Sequence, residues 1–436
     1  MKVVEQITYR CEVSVSEDFN QFLVNIRVDN SGSISDRYGQ ITKALNKQFR
    51  NTESTTANTL QVGSYGRYTG IKGISDLDML YIMPDGKWDT YKDKQSQLLR
   101  DTKDAILNRY PTTDVKVDSL VVVVQYQNFK VEVQPVFEQE DGSFKYPYTH
   151  KGGSWRITKP KDEINAMKEV NEAKNKNLRP LCKMARAWKN KHGVAMGGLL
   201  IDTLAHNFLN GTSIYDNKGP SYYDEMCRDF FEYLSELPKQ DRWNALGSNQ
   251  HVKVKKNFQR AAKKAYELCV EAIKDNNNEK WRKVFGRGYP QNAENLAAIA
   301  QNRQTWLDTE EFIDDKYHID IRYHMTIDCD VSQNGYREYS LSHMLRHFIP
   351  LRAKKSLSFR VSEIDVPEPY SLKWKVLNRG SEAERRDCIR GQILDDEGYG
   401  NRSESTTFSG EHSVECYAIK DGVVVARSEI TVPISN

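Results

Sequence analysis

The stretch Gln61-Val62-Gly63-Ser64-Tyr65-Gly66-Arg67-Tyr68-Thr69, followed by Asp76-Leu77-Asp78 and the run Met79-Leu80-Tyr81-Ile82-Met83-Pro84, decides the reading of this chain. Its first part is a glycine-rich turn. Its second is an apolar segment closed by proline, the punctuation of a strand. Alternate side chains of a strand share a face, so Asp76 and Asp78 lie together while Leu77 and Met79 turn to the core. Two carboxylates about 6–7 Å apart along a strand repel each other unless a cation lies between them, and hard oxygen donors select Mg²⁺ over softer metals. A metal site at Asp76 and Asp78 is the economical expectation.

Phosphoryl or nucleotidyl transfer uses one ion to activate a hydroxyl and a second to hold the triphosphate, which two carboxylates rarely support alone. Val131-Glu132-Val133 supplies a third acid inside an apolar run, where packing has little use for one. Glu132 is therefore the expected third ligand and catalytic acid beside Asp76 and Asp78. Gly63 and Ser64 would offer backbone N–H groups and a hydroxyl to the triphosphate, glycine permitting the close approach.

Working outward, apolar residues at helical spacing (Phe19, Phe22, Leu23 and Ile26, then Ile41, Leu45 and Phe49) predict two helices before the turn, broken at Asp29-Asn30-Ser31-Gly32. A helix is expected over about 90–109. Two valine-rich strands follow between Val117 and Phe137, with Gln127-Asn128 as their hairpin turn. A helical segment is expected from about 161 to 275. Clean alternation from Tyr317 to Cys329 then marks a change to sheet. The Asn334-Gly335 turn, a short helix through Leu341 to Phe348, and strands at 371–377, 412–419 and 423–434 complete a third part. The expected domains are 1–160, 161–310 and 311–436.

The 436 residues hold 63 Lys and Arg against 60 Asp and Glu, so any anion site must be local rather than a property of the whole surface. Seven cysteines without a CxxC pair argue against a disulfide framework or a zinc module, and the histidines are expected to hold no transition metal. No apolar run approaches the roughly 18 residues of a membrane span, so a cytoplasmic protein without membrane contact is expected.

The string from Gly63 to Leu80, with the helix Ser33 to Phe49 before it, resembles the nucleotidyltransferase superfamily of polymerase β. More narrowly, it resembles the bacterial enzymes related to cyclic GMP-AMP synthase that make cyclic oligonucleotide signals in antiphage defence. Trp155 to Pro160, Leu181 to Lys189 and Trp281 to Pro290 extend the resemblance over roughly residues 15 to 300. It implies an α+β fold with a polymerase β-like lobe, a helical second lobe and nucleotide contacts at Gln61, Gly63, Ser64 and Lys183. Without the resemblance, Lys183 and Arg186 read as a solvated basic face of a helix. One departure is the third acid, Glu132, where many relatives have Asp; the longer acid still ligates Mg²⁺.

Lys373 to Ile393 and Gly410 to Val432 resemble the C-terminal sensor domain fused to such synthetases, which implies a β-sandwich-like module binding an activating ligand. Arg390 and His412 are candidate anion contacts there, although a surface salt bridge or a strand-edge role suits each one better. The implied partners are nucleoside triphosphates (ATP or GTP, with a pyrimidine also open), an unidentified activating ligand, and a downstream effector reached through the product. Mg²⁺ or Mn²⁺ is the implied cofactor. Competing functions are a nucleotidylating toxin acting on a protein or small molecule, an inactive nucleotide-binding sensor, and an RNA-tailing enzyme. Tyr148 and Trp155 could stack on a base, and Lys253 to Lys264 reads as a solvated helix face.

Overall fold

The computed structural model describes residues 2–29, 31–127, 129–291, 310–333, 337–378, 385, 390–406 and 410–435. They form two compact units, Met1–Ala187 with Gly197–Val254, and Trp188–Met196 with Lys255–Asn436. The fold is α+β in the first and sheet-rich in the second.

In the first unit, α1 (Lys2–Asn25) and α2 (Ser31–Arg50) precede β1 (Thr59–Gln61), the single turn α3 (Gly63–Gly66) and β2 (Asp76–Ile82). After α4 (Trp88–Tyr91) and α5 (Gln95–Arg109) come β3 (Asp114–Val117), β4 (Val122–Gln125), β5 (Lys130–Glu138), β6 (Phe144–Tyr148) and β7 (Ser154–Thr158). These seven strands make one sheet in the order β1-β2-β5-β4-β3, with β6 on β5 and β7 on β6. Only β2 and β5 run parallel; the other pairs are antiparallel.

Side-chain alternation fixes what each face of this sheet does. Leu77, Met79 and Tyr81 of β2, Val122 and Val124 of β4, and Val131 and Val133 of β5 bury against Ile34, Ile41 and Leu45 of α2 and Leu98, Leu99 and Ile106 of α5. The opposite face is apolar only toward one end, where Leu80 and Val136 meet Val62 and Phe144. A one-residue slip of β2 would send its acids into the core, so the apolar set pins the register. Beyond the sheet, α6 (Pro160–Ala173), α7 (Leu178–His192), α8 (Gly198–Asn210) and α9 (Tyr223–Glu236) form a helical lobe, followed by the hairpin β8 (Arg242–Asn244) and β9 (His251–Lys253).

The second unit contains α10 (Gln259–Asp275), α11 (Asn278–Phe285) and a sandwich of two sheets. One has the order β10 (His318–Ile319), β19 (Val423–Ser435), β18 (Gly410–Lys420), β15 (Ser371–Asn378), β16 (Ile393–Asp395), with β13 (Leu351–Arg352) also on β19. The other has the order β12 (Tyr339–Ser340), β11 (Met325–Ser332), β14 (Ser356–Ile364), β17 (Asn401–Ser405). Cys329, Leu357 and Phe359 from one sheet meet Trp374, Val414, Cys416 and Ala426 from the other in a shared core. Asp421 and Gly422, both at positive φ, make the two-residue turn between β18 and β19 that the right-handed strand twist favours.

Several expectations are corrected. Val117 to Phe137 holds the antiparallel pair β4 and β5, as expected, but Val117 itself ends β3 and the strands are shorter than expected; the β6–β7 hairpin follows. The alternation from Tyr317 to Cys329 is not one strand: Ile321 packs with Ile313, Tyr417 and Val424, while Met325 onward belongs to the sandwich core. The chain leaves one layer for the other between them. The expected helical segment 161–310 is shared between the two units and is interrupted by the β8–β9 hairpin. Asn128, Asn334-Gly335 and the segment 292–309 leading to the expected boundary at 310 lie outside the described residues. Among the described residues no helix is long and apolar enough to cross a membrane.

Candidate active site

The parallel register of β2 on β5 sets Asp76 opposite Lys130 and Asp78 opposite Glu132. All four side chains occupy the face turned away from Leu77, Met79, Val131 and Val133, so three carboxylates and one ammonium share a half-buried strand surface. The Lys130 ammonium stands 2.7 Å from Glu132 Oε1 and 3.6 Å from Asp76 Oδ1. A cation thus already lies among the acids, as carboxylate repulsion requires. Hard oxygen donors on one face suit Mg²⁺ or Mn²⁺. Among the described residues no group of three His, Cys, Asp or Glu side chains is placed to hold a metal ion. The fit therefore lies in donor type and shared face.

Gly63 explains why the glycine-rich turn must sit here. Its φ is +64°, and a Cβ built on it would come within 1.8 Å of Asp78 Oδ2. Only glycine lets the turn press onto this carboxylate. The turn is wrapped by its own backbone: Arg67 N donates to Gly63 O at 3.2 Å, and Thr69 N and Gly70 N donate to Ser64 O at 2.9 and 3.1 Å. Gly63 and Ser64 are thus held beside the acids. Gln61 is placed otherwise. It pairs with Met79 in the antiparallel β1–β2 register, which puts its side chain on the core side of the sheet and not on the acid face. The expected nucleotide contact at Gln61 does not match this register.

Lys183 is half-buried on α7 and makes no hydrogen bond or ion pair among the described residues. Burial, and then the positive fields of Arg27 and Arg179, push its ammonium below the ordinary lysine range. Arg179 lies one turn before it, its guanidinium 4.8 Å from the Tyr68 ring centre and its Nε buried without a partner. Arg27 follows Ile26, whose carbonyl accepts from Lys72 N at 2.7 Å in the loop after the turn. Burial and the neighbouring positive charges thus both disfavour the charged form of Lys183. The sequence reading found Lys183 and passed over Arg27, Arg179 and Lys130. Lys130 was legible, since it shares alternation with Glu132; Arg27 lies two residues past α1, whose pattern speaks only of its apolar side.

Other expectations are settled by packing. Trp155 donates Nε1–H to Lys92 O at 2.7 Å and lies 5.0 and 5.5 Å from the Trp88 and Phe137 ring centres, so it serves the sheet and not a base. The Arg156 guanidinium lies 3.5 Å over the Tyr148 ring. In the second unit Arg390 is engaged by Glu404 at 2.6 Å, and the buried His412 ring faces Asn378 Oδ1 at 3.1 Å. Each thus has a partner within the second unit, the salt-bridge and strand-edge roles the sequence also allowed. Phe258, Ala262, Ala265 and Cys269 bury the apolar side of α10 and leave Lys263 and Lys264 exposed, as expected.

Residues 13–171 match the Second Messenger Oligonucleotide or Dinucleotide Synthetase domain, and residues 307–435 match the Adenylyl/Guanylyl and SMODS C-terminal sensor domain. The chain therefore carries a second-messenger synthetase domain, a nucleotidyltransferase, with the associated sensor domain attached. Among solved structures it is similar to CdnC of E. coli MS115-1 with ATP, at 15% identity over 63% of this chain and 98% of that one, with a TM-score of 0.47. It is also similar to the Vibrio cholerae cyclic AMP-GMP synthase DncV in complex with a linear intermediate, at 14% identity over 66% and 90%, TM-score 0.45. A third is the Rhodothermus marinus c-UMP-AMP synthase CdnE, at 12% identity over 60% and 96%, TM-score 0.42. No curated protein matches the sequence.

Proposed function

We propose that this chain joins nucleoside triphosphates into short or cyclic oligonucleotides with release of pyrophosphate, using Mg²⁺ or Mn²⁺, and that the product is a signal in defence against phage. The observation that carries this reading is the strand face on which Asp76, Asp78 and Glu132 lie together with Gly63 pressed onto Asp78. Asp76, Asp78 and Glu132 would hold the metal. When bound, it lowers the pKa of the attacking hydroxyl and offsets charge on the triphosphate. The Gly63-Ser64 backbone approaches the phosphates without a side chain in the way. Lys183, lowered by burial and then by Arg27 and Arg179, balances the remaining phosphate charge and is favoured in its charged form by a bound anion. The sensor domain binds a ligand that shifts synthase output, and the enzyme works in the cytoplasm.

The test is to incubate the purified chain with labelled ATP, GTP, CTP and UTP, with and without Mg²⁺ or Mn²⁺, and then to treat the products with phosphatase. Metal-dependent, phosphatase-resistant small products are expected. Label transferred to a protein or to a small non-nucleotide acceptor would replace this reading by that of a nucleotidylating toxin.

A further inference from the structure

Asp202 lies in the apolar run Leu199-Leu200-Ile201-Asp202-Thr203-Leu204-Ala205 of α8 and has no exposed surface. Its carboxylate is saturated with donors. Arg186 Nη1 reaches Oδ1 at 2.6 Å, and Oδ2 accepts from Arg186 Nη2 at 3.0 Å, Arg67 Nε at 2.8 Å and Thr69 Oγ1 at 2.9 Å. Arg67 also bonds Glu163 of α6 at 3.1 Å, and Arg186 Nη2 bonds Gly198 O at 3.0 Å. Burial alone would raise the Asp202 carboxyl, but the two guanidiniums outweigh it and hold it at about 2. A buried charge so compensated withstands its desolvation, yet an apolar cluster of the same volume would serve stability as well or better. What an apolar cluster could not do is fix directions.

The donors come from two elements that face phosphate in the reading above. Arg67 and Thr69 are the back of the Gly63-Ser64 turn, tied to it through Gly63 O and Ser64 O. Arg186 lies three residues after Lys183 on α7, about one helical turn away. We propose that Asp202 is a positioning residue for nucleotidyl transfer, setting the Gly63-Ser64 turn and the Lys183 helix in one register so that both meet the same triphosphate. The inference rests on the reading of that turn and Lys183 as triphosphate contacts. Bidentate guanidinium bonds fix orientation as well as distance, and the hydroxyl of Thr69 adds a third direction. Catalytic geometry is sensitive to shifts of about 1 Å, so a loosened register shows first in triphosphate binding and alignment.

The decisive experiment measures binding of a non-hydrolysable ATP analogue with Mg²⁺ to the full chain by titration calorimetry, beside melting temperature. Thr69→Val removes the hydroxyl, which reaches Asp202 Oδ2 at 2.9 Å and Ser64 O at 3.4 Å, and should weaken the analogue about tenfold; Thr69→Ser, which keeps it, should stay within about twofold of wild type. Lys183→Met should weaken the wild type more than it weakens Thr69→Val, because a misregistered lysine has less to lose. Asp202→Asn is the stronger variant where it folds, and Thr69→Val carries the test where it does not. If Thr69→Val melts lower yet binds the analogue as tightly as wild type, or if its effect and that of Lys183→Met simply add, Asp202 is structural only and the proposal is overturned. A wild-type chain that binds no analogue would instead overturn the triphosphate reading of the site.

Discussion

The first unit contains two kinds of carboxylate setting. Asp202 is wholly buried and accepts four hydrogen bonds, three from guanidinium groups and one from Thr69. Asp76, Asp78 and Glu132 lie on a half-buried strand face, with the Lys130 ammonium 2.7 Å from Glu132 and 3.6 Å from Asp76. The contrast teaches how to separate scaffold from chemistry. A carboxylate that arrives with its full complement of donors has been neutralised by the fold and orients its neighbours. Carboxylates gathered on one open strand face offer the hard oxygen donors that a cation from outside would suit. Lys183 is the counterpart among cations, its ammonium lowered by burial and then by Arg27 and Arg179.

The comparison breaks most visibly if the two settings respond alike to neutralisation. Asp78→Asn should lower product formation by roughly a thousandfold or more while melting temperature holds or rises, because it removes a metal ligand and relieves carboxylate repulsion. Radiolabelled product assays beside differential scanning fluorimetry check both halves. Near wild-type synthesis would remove the acid face from the catalytic site.

Asp202→Ala should do the reverse to stability. Two buried guanidiniums would lose their shared partner, at a cost of about 3–5 kcal/mol, or a melting-temperature drop of about 10 °C for a unit of this size. A variant melting with the wild type would show that the guanidiniums find water or Glu163 instead, and the scaffold side of the contrast would fail.

The smallest effect concerns acid. The carboxyl of Asp202 is held at about 2 against an ordinary value of 3.8, so its contribution is present above the unfolded value and lost as pH falls through the folded one. Between pH 4 and pH 2 the first unit should lose about 2 kcal/mol from this group. Glu163, raised by burial against the pull of Arg67, offsets part of that by being easier to protonate in the fold. Urea unfolding followed at pH 4, 3 and 2 in the wild type and Asp202→Asn would sharpen the comparison. Equal slopes in the two chains would assign the acid sensitivity elsewhere.

Much of this was legible in the chain, and the reason is periodicity. Asp76 and Asp78 read as a pair because a strand has period two and their neighbours Leu77 and Met79 are apolar; Glu132 was visible as the wrong residue type in a valine run. Strands 371–378, 410–420 and 423–435 announced themselves by alternation and by the Asp421-Gly422 turn. Short or heavily charged strands such as β6, β7, β14 and β17 did not, because their burial patterns are irregular or half-exposed. Tertiary structure alone decided the parallel register that sets Asp78 against Glu132, the contact of Gly63 with Asp78, the turning of Gln61 to the core side, and the meeting of Arg67, Thr69 and Arg186 on Asp202. Local sequence carries direction and period, which depend on neighbours a few residues away. The partners of Asp202 lie up to 135 residues distant, and their convergence is a property of packed helices that no local pattern encodes.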